Sequence, residues 1–522
     1  MKKILSLITA LLLAPGISAA ELLIPSYNGM RSITPAGGVK PAAVMPVKYR
    51  TEQNPGYVDP DSAAPPNLRQ LQVVGLMERM VQLEEKKRGI TDGEVARGGI
   101  GGMLDLRAPN KRLKLSESHL NRLINRLAQV DRNFVDPIST RRWTEIVGEL
   151  DKIAETELDA SAANWDEVVD KMLKKAVREQ KDIHSSYMNP AEVKEFMEMM
   201  QGSFSGIGAS MKLEEGKGAK VEIVFPDSPA EKAGVKNGDI VTAVDGVPAG
   251  DKDLGEIIKR IKGVEGTAVK LSIERGGVQI RPITVTRGQV QMANVYSKML
   301  TPSIGYVYFS EFRGDTDQEV FKHVKQLKQA GMKSLVIDVR GNPGGRVTAV
   351  ASIASEFLRD GDPIVTFKKQ GVWQSREVTD GDGMFVDIPV AVLINGGSAS
   401  ASEILAGAMQ DHVDAPIIIG TRSYGKGTAQ SITPGPSGRA LKLTGSRWHT
   451  PHDRTIDADK DPATGAKIEG TGGVVPDIDV EVTPEQAGRI MQDIYRELNG
   501  GDVAEPAPDP QLKKAIEVLG GG

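Results

Sequence analysis

The sequence contains no cysteine. That excludes disulfides, thiolate metal ligands, a cysteine nucleophile and a lipid anchor on a cysteine. Histidine is scarce, with six in 522 residues, so few imidazoles are available as general bases. Neither charge sign dominates: 65 Lys and Arg stand against 69 Asp and Glu, a formal net charge of −4. The chain therefore offers no polycationic face for nucleic acid, and protein or peptide partners are expected instead. After the first twenty residues no stretch approaches the roughly 20 apolar residues needed to cross a bilayer, so no transmembrane segment is expected in the mature chain.

Against these absences stand length and an ordinary interior. A 522-residue chain with 39% hydrophobic and 26% charged residues is expected to fold as three or four globular units. Residues 1–20 read as a signal peptide: the basic start "MKK", the apolar "ILSLITALLLA", and "PGISAAE" with small residues for cleavage near Ala19 or Ala20. Together with the lack of cysteine this implies a periplasmic protein.

The expected fold class is multidomain α/β. Residues 21–66, rich in Pro and Gly and without a period, read as a flexible arm. Residues 67–200 carry helical patterns, as in "LRQLQVVGLMERMVQLEEKKRG" and at 117–130, 140–156 and 164–180. Residues 201–290 alternate short strands (219–224, 239–244, 268–275) with Gly-rich turns around one helix, 254–261. Residues 291–484 alternate strand and helix, which predicts a mostly parallel sheet in an α/β layer. Residues 485–522 carry two apolar helices suited to self-association.

Chemistry concentrates in the fourth region, where "RGNPGG" and "NGGSASAS" both follow predicted strands and so fall where α/β folds place their sites. A serine nucleophile needs a rigid exposed turn, a neutral base within reach and donors for the developing oxyanion. The stretch "INGGSASASEILAGAMQD" supplies the turn. His412 lies twelve residues beyond Ser400, about 18 Å along a helix, too far to serve as base. His449 and His452 in "RWHTPHD" lack the neighbours of a metal set, and no metal or other cofactor is expected. Lys426 in "GTRSYGKG" remains, a base only if its surroundings leave it neutral. The same residues fit half of a phosphate-binding loop, but Gly427 stands where Ser or Thr is required and no helix pattern follows.

In "FSGIGASM", Gly206 and Gly208 flank Ile207 and let consecutive amides converge on one spot, as a carboxylate-binding nest does; a plain Gly-rich turn is the other reading. The context "SPAEKAGVKNGDIVTAVDGVPAG" resembles the second half of a PDZ domain, which binds an extended C-terminal tail by strand addition. With this domain upstream, "GSASASEI", "YGKGTAQ" and "D-RGNPGG" resemble the carboxy-terminal processing proteases, in a similarity running from "NFVDP" at Asn133 to Asp477. The resemblance implies a Ser/Lys endopeptidase. It makes Ser400 the nucleophile, Lys426 the base, Gln430 the residue orienting the lysine, and the amides of Ala401 and of Gly344 or Gly345 the oxyanion hole. Ser398 and Ser402 are left as turn and helix-start residues. It also implies substrates with apolar C-termini bound at 206–208. An activating adaptor protein is a further candidate partner, and the apolar helices at both ends of the chain suit a homo-oligomer. The chain departs from the family pattern at Thr421, at Ile183 and in a long insertion over 452–473. The competing expectation is a binding scaffold with a PDZ domain on a catalytically dead core.

Overall fold

The computed structural model describes residues 48–54, scattered positions between 122 and 153, and 165–520 apart from 413–416, 460–466, 469 and 502. The expected signal peptide and the helical pattern over 68–116 lie outside the described residues. The chain divides into two compact units, one taking in Asp59–Tyr187 and the other Val47–Val58 with Met188–Gly522.

The first unit is helical where described. In the helix Trp165–Arg178, Val169, Met172, Leu173 and Ala176 are buried, the i, i+3, i+4, i+7 spacing of one helix face. Leu123, Leu127, Ile146 and Leu150 are buried as well.

The second unit opens with a strand, Tyr49–Gln53, inside the stretch read as a flexible arm. It also holds the helix Pro190–Met200, which the sequence pattern had grouped with the helical region. Next comes a small β-rich domain whose sheet runs in the order Ile283–Thr286, Ala268–Arg275, Ile240–Val244, Gly218–Val224, Ala209–Glu214. In Ala268–Arg275 the buried residues are Val269, Leu271 and Ile273, the period of two that turns one face of a strand inward. The helix Leu254–Ile261 is started by Asp253, whose side chain accepts from the Glu256 amide, and it buries Ile257 and Ile261. Both sets of residues belong to one apolar cluster.

The α/β core is built on a sheet in the order Val295–Met299, Ile304–Phe309, Ser334–Asp338, Val390–Ile394, Ile417–Gly420, Ile478–Asp479. Only the first pairing is antiparallel; the rest are parallel, as expected for strands joined through helices. The central strands Ile304–Phe309, Ser334–Asp338 and Val390–Ile394 are buried along their whole length and mostly apolar, because both their faces are covered. Tyr306, Val336, Ala391, Leu393 and Ile419 pack with the helices Pro484–Leu498 and Pro510–Gly520 on one side. The helices Thr316–Gln329, Val347–Ser355 and Ala401–His412 take the other side. A second, antiparallel sheet runs Tyr49–Gln53, Val372–Thr379, Pro363–Lys369, Ala440–His449, Thr428–Pro434. Residues 421–427 cross from the last long parallel strand into this second sheet, so Lys426 lies at the joint between the two.

Candidate active site

Two loops at the carboxyl ends of adjacent parallel strands are stitched together. The Ala399 amide and the Ser402 hydroxyl both donate to the carbonyl of Asn342, at 3.0 and 2.9 Å. The Ser398 hydroxyl donates to the Val339 carbonyl at 2.8 Å and accepts the Asn395 amide at 3.0 Å. The Gly341 amide donates to Asn395 Oδ1. Asn342 is fully buried and donates to the Phe309 carbonyl. Ser398 and Ser402 are thus buried structural serines. Ser400 between them is partly exposed and has φ +54°. A non-glycine residue in the left-handed region costs on the order of 1–3 kcal/mol and persists only where its surroundings impose it. Here the bonds on both sides do so.

Glycine is required opposite that turn. Gly344 has φ +104°, and a Cβ there would stand 2.7 Å from the Ala399 carbonyl oxygen, 2.8 Å from Ser400 Cβ and 2.9 Å from the Ala401 nitrogen. A Cβ on Gly345 would press still closer, on the Phe312 carbonyl oxygen. The Gly344 amide donates to Asn342 Oδ1 at 2.9 Å. Among the described residues, neither the Gly345 nor the Ala401 amide has an acceptor. The glycine loop and the serine turn therefore share one small space.

The lysine loop is joined to the same turn through a single carboxylate. Glu403 is wholly buried and lies in the first turn of the helix Ala401–His412. Its Oε1 accepts the Ser423 hydroxyl at 2.6 Å and the Gly425 amide at 2.5 Å. Its Oε2 accepts the Ser400 amide at 2.8 Å and the Lys426 amide at 2.9 Å. Because both amides donate to one oxygen, the backbone nitrogens of Ser400 and Lys426 are within about 6 Å of each other. Burial pushes the Glu403 carboxyl above its usual range, and its four donors pull it back in part. The amides of this glycine-bracketed loop thus converge on a carboxylate of the chain's own.

Other bonds hold the loop from outside. Tyr424 donates to the Ser398 carbonyl. The indole of Trp448 donates to the Lys426 carbonyl at 2.9 Å. From the 452–473 insertion, Asp457 Oδ1 accepts the Gly427 amide at 3.1 Å, and the Ala458 amide donates to the Gly425 carbonyl. Past the loop, Gln430 sits on the strand Thr428–Pro434 and donates through Nε2 to Thr428 Oγ1 and Thr444 Oγ1, at 3.3 and 3.2 Å.

The three histidines considered from the sequence make other contacts. His412 ends the serine helix with its Nε2 against the Pro363 carbonyl. His449 is 3.3 Å from Asp453, and His452 is 3.7 Å from Asp411. In the small β-rich domain, Gly206 ends a strand paired with Gly288, and the Ile207 side chain is buried in the domain core. The carbonyls of Ile207 and Gly208 accept the Ala230 and Phe225 amides. Ile207 thus presents only its backbone toward any ligand. The strand Ala209–Glu214, which follows, is at the edge of its sheet.

Sequence reasoning missed Glu403 and Asn342. Glu403 carried a signal, being three residues after a helix-starting serine in the spacing of a capping box, and its bond to the Ser400 amide is the return half of that motif. Asn342 carried none beyond its place in a turn-rich loop.

Residues 303–480 match the model of peptidase family S41, and residues 221–275 match that of the PDZ domain. The carboxy-terminal-processing protease of Bartonella bacilliformis is 34% identical over 367 residues, covering 65% of this chain and 80% of that protein. A probable CtpA-like serine protease of Staphylococcus haemolyticus is 36% identical over 281 residues, 54% of this chain and 56% of that protein. The carboxy-terminal processing protease CtpB of Bacillus subtilis is 35% identical over 283 residues, 53% of this chain and 58% of that protein. The chain thus spans somewhat over half the length of the latter two relatives.

Proposed function

The chain belongs to the carboxy-terminal processing protease family, and from that premise we propose that it is a serine endopeptidase with Ser400 as nucleophile and Lys426 as general base. Neutral Lys426 takes the Ser400 proton as the hydroxyl oxygen attacks the scissile carbonyl. The C–N bond then breaks, the amine leaves with that proton, and an acyl-enzyme remains. Water activated by the same lysine hydrolyses the ester. Gln430, four residues beyond the lysine, orients its amine. The oxyanion is held by the Ala401 amide and by one from the glycine loop; Gly345 is the better donor, since the Gly344 amide is already bonded to Asn342.

The observation that carries this reading is the shared carboxylate: one oxygen of Glu403 holds the amides of Ser400 and Lys426 together. The left-handed backbone of Ser400 supports it further, since strain of this kind gathers at functional sites. Substrates are proteins whose apolar C-terminal tail adds along the edge strand Ala209–Glu214, with its carboxylate at the amides of 206–208. Export to the periplasm, an activating adaptor and self-association complete the proposal.

The test is mass spectrometry of products after incubating wild type, Ser400→Ala and Lys426→Ala with an unstructured polypeptide bearing an apolar or a charged C-terminus. Cleavage by wild type alone, faster with the apolar tail, is the expected result. Wild-type turnover by either variant would refute the dyad. Tail binding by a wild type that cleaves nothing would favour the scaffold reading.

A further inference from the structure

The glycine loop that faces Ser400 begins at Arg340, one of the most completely buried cations in the described structure. Its guanidinium is held from two directions. Toward the sheet, Nε and Nη2 donate to Asp338, the closest contact being 2.6 Å, and the Arg340 amide donates to Asp338 Oδ1. Asp338 in turn accepts the Tyr306 hydroxyl at 2.8 Å. From the far end of the chain, Asp509 takes Nη1 and Nη2 in a two-point contact at 3.0 and 2.8 Å, and Gln511 Oε1 takes Nη1 at 3.1 Å. Asp509 also accepts the Leu512 amide at the start of the last helix, and Gln511 donates to the Val480 carbonyl. The next loop residue is backed from the same side: a Cβ on Gly341 would stand 2.9 Å from Met491 Cε, on the helix Pro484–Leu498.

We propose that Asp509 is a positioning residue of the oxyanion loop, acting through Arg340 on the alignment of Gly344 and Gly345 with Ser400. The physical reason is directional. Asp338 alone fixes Arg340 along the strand, whereas the planar guanidinium needs a second two-point partner to fix its tilt. The loop that follows reaches the Gly344–Ala399 contact within four residues, at spacings that leave no slack. Misplacement by about an ångström at such a site costs on the order of a hundredfold in rate.

The inference rests on the protease reading, and the experiment separates the two. Steady-state cleavage of an apolar-tailed peptide and thermal melting are measured for wild type, Asp509→Asn and Ile516→Ala. Ile516 packs the last helix on the sheet and makes no polar contact with Arg340. The expected result is a fall of about 10- to 100-fold in kcat for Asp509→Asn, with KM within twofold, while Ile516→Ala keeps its kcat at a similar loss of melting temperature. An unchanged kcat in Asp509→Asn overturns the inference and leaves the protease reading standing. An equal kcat loss in both variants at equal melting temperature reduces Asp509 to a structural anchor and also overturns it. A wild type without cleavage removes the protease reading and this inference together.

Discussion

The serine turn and the lysine loop both follow parallel strands and both are rich in glycine, yet they are fastened differently. Apart from the Ser400 amide, which donates to Glu403, the serine turn is held by several short bonds to neutral partners, Asn342, Val339 and Asn395, spread over residues 395–402. The lysine loop is gathered at its centre on one buried carboxylate, Glu403, which the serine helix itself supplies. A distributed set of neutral bonds loses about one bond's worth when one is removed, while a shared charged acceptor fails for all its donors at once. The two halves of the dyad should therefore respond unequally to the loss of an anchor.

The largest effect is expected at Glu403. Glu403→Ala leaves the Ser423 hydroxyl and three backbone amides without their acceptor, a cost on the order of 3–5 kcal/mol, and removes the link between Ser400 and Lys426. Turnover should be lost and the melting temperature should drop; a variant that cleaves at wild-type rate would dissolve the comparison. Gly344→Ala comes next. A Cβ at φ +104° meets the serine turn at under 3 Å, so kcat should fall by about a hundredfold with roughly 1–3 kcal/mol of destabilisation. Preserved kcat would mean that the glycine loop is not fixed against Ser400. The smallest effect belongs to Ser402→Ala, which removes one donor from an Asn342 carbonyl that still accepts the Ala399 amide. About 1 kcal/mol and near-normal turnover are expected, and a collapse of activity there would show that the serine side has a single critical anchor too.

The parts of this molecule that were legible in the sequence share a cause. The strand Ala268–Arg275 and the helix Leu254–Ile261 were readable to the residue because burial of one face imposes a period on a contiguous segment. The parallel strands around 304–309, 334–338 and 390–394 were readable because burial on both faces makes them continuous apolar runs bounded by turns. The strand Tyr49–Gln53 was not, since its order comes from antiparallel pairing with Val372–Thr379, more than 300 residues away. The insertion over 452–473 likewise had no pattern of its own. Its contribution is made by Asp457 and Ala458 against the lysine loop.

For the candidate site the division is similar. The sequence by itself determined which residue types stand at the ends of the strands: a serine before a helix, a lysine between glycines, a glycine pair after Asn342. Those are local choices, and each is visible in a window of a few residues. Only the tertiary structure decided that Glu403 holds Ser400 and Lys426 by one oxygen and that Asp509 reaches back to Arg340. Hydrogen-bond partners far apart in the chain are selected by the packing that buries them, and a buried donor or acceptor takes whichever partner that packing supplies.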